Sequence, residues 1–202
     1  MPGAMTASVI LAGYVIGSIP FALILARSWG TDLRRVGSGN LGAANVMRAS
    51  GVAAGLLVAA LDMAKGAASV WLAARVSVGA ELPAAAGLAA ILGHIYPIWL
   101  RFRGGKGVAA ACGVFSMLTP LAVPPALAIF AAVVWFTQYI SLGSVLASMA
   151  LPPIAYALGS PVPAVLAAAA ASAIIVFRHR SNVLRMWMGT ERRVGARTSC
   201  EP

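Results

Sequence analysis

Residues 50–77 read SGVAAGLLVAALDMAKGAASVWLAARVS, and this run decides the fold class. Its length exceeds the roughly 20 residues that a helix needs to cross a hydrocarbon core about 30 Å thick. Its charged residues are Asp62, Lys65 and Arg75. A charge near the middle of a bilayer costs on the order of 2.5–3.5 kcal/mol on insertion scales, so two interior charges need a reason. Asp62 and Lys65 lie three apart and share a helix face, where each can neutralise the other. A structural ion pair is the first reading of them; a direct contact with substrate is the second.

The surrounding chain repeats the pattern. Of 202 residues, 60% are hydrophobic and 10% are charged, against about 25% charged in soluble domains. Seven apolar segments can be counted, at roughly 5–26, 50–77, 82–100, 107–119, 121–138, 142–158 and 161–178. Basic residues fall in alternate connections: Arg27, Arg34, Arg35 and Arg48 in the first, Arg101, Arg103 and Lys106 in the third, and Arg178, Arg180, Arg185, Arg192, Arg193 and Arg197 after the seventh. Cytoplasmic loops retain Lys and Arg. The pattern predicts an all-α integral membrane protein of about seven transmembrane helices, N-terminus outside and C-terminus cytoplasmic. Residues 1–191 form one polytopic domain, and 192–202 a basic, poorly ordered tail. The net charge of +10 then reports topology and a liking for anionic lipid or phosphate; no nucleic-acid partner is implied.

Local signals refine this. No Lys or Arg precedes Arg27, so residues 5–26 read as a retained span rather than a cleaved signal. Pro20 should kink that span and free a carbonyl that neighbours must satisfy. The fourth segment is short for a full crossing. Alanine-rich runs at 84–90 and 167–173 suggest closely packed helices. Cys112 and Cys200 form no metal or redox spacing, and His94 and His179 are far apart, so no metal site and no cofactor is expected.

Four polar segments remain, all on the predicted inner face: GSGNLGAANVMR at 37–48, HIYPIWLRFRGGKG at 94–107, SLGS at 141–144 and RHRSNVLRMWMGTE at 178–191. Gly104, Gly105, Lys106 and Gly107 open a helix, whose N-terminus favours an anion and whose lysine suits phosphate. The same turn also reads as a basic loop obeying the positive-inside rule. Ser38, Asn40 and Asn45 offer donors beside Arg48, which can clamp phosphate through two bonds; alternatively Asn45 caps the second span and Arg48 meets lipid headgroups. Ser141 and Ser144 are donors or plain helix caps. His179 and Asn182 lie three apart and face one way on a helix. Neither histidine begins an H-x4-D acid–base dyad, and no G-x-S-x-G elbow occurs. A chain poor in bases and rich in phosphate binders suits an already activated, phosphate-bearing substrate, with binding and charge stabilisation carrying catalysis.

These linked segments, with LDMAKG at 61–66, resemble the bacterial PlsY-type acyl-phosphate:glycerol-3-phosphate acyltransferases over residues 8–191. The resemblance implies transfer of a fatty acyl group from acyl phosphate to the 1-hydroxyl of glycerol 3-phosphate, giving lysophosphatidate and phosphate, in the bacterial inner membrane with the site at the cytoplasmic face. By motif, Ser38, Gly39 and Asn40 would hold the acyl-phosphate end. Lys106, Arg48, Ser141, His179 and Asn182 would line the glycerol 3-phosphate pocket, with Asn45, Gly104, Gly105 and Gly107 contributing to binding. The donor's own phosphate would take the hydroxyl proton. A soluble acyltransferase that produces acyl phosphate is the implied partner, beside membrane lipids. Leu41, Ala44, Gln138 and Ser181 depart from the family pattern, where proline, threonine, arginine and an acid are usual. The alternative from another class is a transporter of an anion or organophosphate, which would need polar residues through the bilayer and an outer entry.

Overall fold

Helices form where the sequence is apolar and break at its prolines and glycines. The computed structural model describes residues 3–194, all helix, turn or coil. In chain order the elements are α1 (Gly3–Gly17), α2 (Phe21–Ser28), α3 (Ala43–Ser50), α4 (Val52–Val76), α5 (Glu81–Ile95), α6 (Val108–Leu118), α7 (Val123–Thr137), α8 (Ile140–Ala157), α9 (Val162–Arg178) and α10 (Arg180–Trp187). A single 3-10 turn, Ile98–Leu100, follows α5.

Four segments are long and apolar enough to cross a membrane: Gly3–Ser28, Val52–Val76, Glu81–Leu100 and Ile140–Ala157. Val162–Arg178 with Arg180–Trp187 makes a fifth if the pair, bent by 51°, counts as one span. Val108–Leu118 and Val123–Thr137 are shorter. Eleven residues of α6 cover only about 16 Å at 1.5 Å per residue. All seven apolar runs are thus helical, though not all are full-length spans. The side chains confirm the solvent. Ala86, Ala90, Ala110, Ala164, Ala168 and Ala171 are buried, while Leu11, Leu56, Trp71, Trp135, Phe136, Tyr156 and Leu166 point outward. Small residues inside and large apolar ones outside is how an integral membrane protein packs, because lipid gives no drive to hide a leucine and close backbone approach supplies the attraction.

That approach is tightest where glycine leaves room. α1 lies on α5 with Gly13 and Gly17 against the carbonyls of Ala86 and Ala90. α4 lies on α6 with Gly66 against the Ala110 carbonyl and Gly113 against that of Met63. Between α1 and α2 the chain breaks at Ser18–Pro20, where proline cannot donate. Lys65 Nζ reaches across from α4 and donates to the Ile19 carbonyl at 2.8 Å, while also lying 2.8 Å from Asp62 Oδ1. One lysine therefore bonds both to the break in the helix and to the buried acid.

The structure changes several local expectations. Within the 37–48 stretch a separate helix, α3, starts at Ala43 and carries Asn45 and Arg48, and Gly51 at φ 93° separates it from α4. Gly42, not Asn45, precedes α3, so Asn45 caps nothing. Ser141 and Ser144 sit inside α8, whose N-cap is Tyr139, and so are not caps either. Near the start of the predicted tail the Val194 N–H donates to the Gln138 carbonyl at 2.8 Å. The tail's remainder, 195–202, including Arg197 and Cys200, lies outside the described residues.

Gly113→Val should lower stability by about 1–3 kcal/mol through overpacking against α4. Thermal unfolding in detergent measures this, with Gly3→Ala, where a Cβ meets nothing, as the neutral control.

Candidate active site

The four polar segments meet at one cleft of about 340 Å³. Ser38, Asn40, Asn45 and Arg48 enter from the first, His94, Lys106 and Gly107 from the second, Ser141 and Ser144 from the third, and His179, Asn182, Arg185 and Glu191 from the fourth, with Arg192 directly after it. Apolar residues make up much of the remaining lining: Leu56, Ala59 and Met63 of α4, Cys112 of α6, and Leu127 and Phe130 of α7.

The organising group is Glu191, a residue that sequence reasoning left out of the site. Its Oε1 accepts from Ser141 Oγ and from Asn182 Nδ2, both at 2.7 Å. Its Oε2 accepts from Arg185 Nε at 2.8 Å. Asn182 Nδ2 also donates to Ser141 Oγ at 2.8 Å, and Asn182 Oδ1 accepts a short hydrogen bond from Lys106 Nζ. Burial raises the Glu191 pKa, but the bonds from Asn182, Ser141 and Arg185 outweigh it and hold the carboxyl below its ordinary value. The available signal was that this is one of only five acids among fifteen basic residues and closes the fourth polar segment. Arg185 and Arg192 were passed over for the same reason, as topology markers.

Around that acid the cations are in excess. Arg48, Lys106, Arg185 and Arg192 line the cleft against Glu191, while the other lining carboxylate, Asp62, is held by Lys65. Burial pushes the Lys106 ammonium down to about 8; Glu191 opposes that, and Arg185, Arg48 and Arg178 add to it. Burial and then Arg192 likewise lower Arg48, with Glu191 opposing. An anion entering here would relieve this repulsion.

Asn45 is an organiser of the first segment. Its Oδ1 accepts from the Ser38 N–H at 2.9 Å and from Ser38 Oγ at 3.2 Å, and its Nδ2 donates to the Leu33 and Val36 carbonyls, both at 3.1 Å. Gly37, at φ 62°, has no room for a Cβ beside that oxygen. The side chain thereby folds the turn that presents Ser38 and Asn40 to the cleft. His179 sits at the α9–α10 bend with Nδ1 2.8 Å from the Ile175 carbonyl, which fixes its ring.

Some expected residues are elsewhere. Gly39, Gly104 and Gly105 do not line the cleft. The Gly104 and Gly105 amides donate to the Ile95 and His94 carbonyls at 3.0 and 3.1 Å, so neither is free for an anion. Gly107, at φ 93°, does line it. Of the departures, Ala44 lines the cleft, Leu41 is buried against α2 and α4, and Gln138 and Ser181 are exposed.

A family profile described as glycerol-3-phosphate acyltransferase matches residues 7–189. The chain belongs to this family. A glycerol-3-phosphate acyltransferase of Rubrobacter xylanophilus is 43% identical over 94% of this chain and 95% of its own length, and one of Geobacter sulfurreducens is 44% identical over 91% and 94%. The crystal structure of PlsY (YgiH), an integral membrane glycerol 3-phosphate acyltransferase in its glycerol 3-phosphate form, superposes with a TM-score of 0.90 at 36% identity, covering 95% of this chain and 96% of that one. Its lysophosphatidic acid form superposes at 0.89. The protein is therefore an integral membrane acyltransferase of the PlsY type, and the cleft just described is the candidate active site of that enzyme.

Glu191→Gln removes the charge that gathers Ser141, Asn182 and Arg185. It should cost about 1–3 kcal/mol of stability and lower acyltransferase activity more than tenfold, read by thermal unfolding and initial rates on the same preparation.

Proposed function

We propose that this chain transfers a fatty acyl group from acyl phosphate to the 1-hydroxyl of glycerol 3-phosphate, forming lysophosphatidate and inorganic phosphate, the first acylation of phospholipid synthesis. One observation carries the reading: a single cleft joins a cationic end, where the carboxylates are already engaged, to an apolar wall between α4, α6 and α7. That combination suits an acyl chain on one side and two phosphates on the other. The family's printed name, glycerol-3-phosphate acyltransferase, supports the acceptor, and the resemblance of the linked motifs suggests the donor.

Binding and charge do most of the work in this mechanism. Ser38 and Asn40 hold the acyl-phosphate end. Lys106, Arg48, Ser141, His179 and Asn182 hold glycerol 3-phosphate so that its 1-hydroxyl faces the acyl carbon. The hydroxyl oxygen bonds to that carbon, the carbon–oxygen bond to phosphate breaks, and the departing phosphate carries away the hydroxyl proton. Support for substrate assistance comes from the cleft's acids: Glu191 accepts three hydrogen bonds and Asp62 is paired, so neither is placed to act as a base. In this reading the enzyme lies in the bacterial inner membrane with seven spans, its N-terminus outside, its cleft and C-terminus at the cytoplasmic face. A soluble acyltransferase delivers acyl phosphate there.

Purified protein given acyl phosphate and glycerol 3-phosphate is expected to release phosphate and form lysophosphatidate in equal amounts. No phosphate release across a panel of chain lengths would reject the reading. Lys106→Ala should raise KM for glycerol 3-phosphate on the order of 10- to 100-fold, the value of a lost charge-assisted hydrogen bond.

The pKa of Lys106 gives a signed pH effect. Its ammonium is charged below about 8 and lost above it. The KM for glycerol 3-phosphate should therefore rise as pH passes from 7 to 9, and the Lys106→Ala enzyme should lack that rise. Steady-state kinetics over that window makes the check.

A further inference from the structure

A buried charge cluster, two of whose members, Asp62 and His94, reach the lining of the cleft, takes no part in the mechanism above. Asp62 of α4 sits between two partners: Lys65 Nζ at 2.8 Å on its own helix and His94 Nδ1 at 3.4 Å on α5, all three side chains within a few per cent of full burial. Lys65 in turn is fixed to the Ile19 carbonyl at the break of the first span. The cluster therefore joins three helices, and its last member touches the glycine turn. The Nε2 edge of the His94 ring lies where a Gly105 side chain would project, leaving no space for a Cβ. From the same residue, the His94 carbonyl accepts the Gly105 N–H at 3.1 Å, and the Ile95 carbonyl accepts the Gly104 N–H at 3.0 Å. The turn is thus held by backbone bonds and propped by the ring. The next residue is Lys106, whose Nζ meets Asn182 in the cleft.

We propose that His94, braced by Asp62, is a positioning residue: its ring sets the height of the Gly104–Gly107 turn and so the place of the Lys106 ammonium. Burying an aspartate, a lysine and a histidine together is costly unless the geometry is used. Here it converts the rigid α1–α4–α5 packing into a fixed seat for one flexible side chain. Glycine at 105 is then required for contact with the ring, not to free an amide for phosphate. The proposal rests on the reading that Lys106 binds the acceptor phosphate.

The test is a space exchange, read as separate KM and kcat values for both substrates. His94→Asn keeps an amide donor near the Nδ1 position for Asp62 and deletes the ring edge over Gly105. Gly105→Ala keeps the charge cluster and pushes against the ring. Each alone should raise KM for glycerol 3-phosphate on the order of tenfold, with KM for acyl phosphate and kcat within about twofold of wild type. The double variant should be no worse than Gly105→Ala alone, because the new methyl occupies the vacated space. An unchanged KM in His94→Asn, an equal loss for both substrates, or effects that multiply in the double variant would overturn the proposal. If His94→Asn does not fold, Gly105→Ala decides by itself: an unchanged KM for glycerol 3-phosphate refutes the strut. Lys106→Ala is measured alongside. If it leaves that KM unchanged the binding reading falls, whereas a raised KM there with a normal His94→Asn enzyme sinks the positioning role alone.

Discussion

A bilayer offers no water to an unpaired backbone group, and the architecture follows from that constraint. Helices must run unbroken through the apolar layer, or something must satisfy each break. At Ser18–Pro20 the proline breaks the first span, and Lys65 donates to the Ile19 carbonyl there alongside the Phe21 N–H. That lysine can be buried only because Asp62 accompanies it, and Asp62 in turn engages His94 beneath the glycine turn. A packing problem in the first span is thus connected, through three buried polar groups, to the seat of Lys106. The same constraint sends irregular backbone and free donors to the helix ends, where four separate segments converge on one cleft.

At that cleft the balance of charge decides what can bind. Glu191 gathers Ser141, Asn182 and Arg185 and spends its charge in doing so. It does not neutralise Arg48, Lys106 and Arg192 as well, so the site is left cationic beside an apolar wall. The carboxylate serves as an assembler whose product is a donor-rich, base-poor pocket. This agrees with a reaction whose leaving group arrives already activated.

Much of this was legible in the sequence. The apolar runs marked every helix that can span, since length and hydropathy are local properties. Arg48, Lys106, Ser141, His179 and Asn182 could be singled out because polar residues stand out against such a background, and they do share one cleft. What escaped was set by tertiary contact. Glu191 meets Ser141 across fifty residues, and His94 meets Asp62 across two helices, with no spacing to announce either. Asn45 read as a site donor or, alternatively, as a cap, since caps favour asparagine, yet it folds the Ser38 turn from within α3. Gly104 and Gly105 read as an anion cradle, but glycine serves close packing as readily as exposed amides, and only the neighbours decide which.

The central claim is that the cations gathered around Glu191 hold the acceptor's phosphate. A structure of this protein determined with glycerol 3-phosphate bound tests it most directly. The account predicts the phosphate within hydrogen-bond reach of Lys106 Nζ, with Arg48, His179 and Asn182 around the same molecule and the 1-hydroxyl directed toward Ser38. A phosphate seated away from Lys106, or a glycerol 3-phosphate lying along the apolar wall, would contradict it.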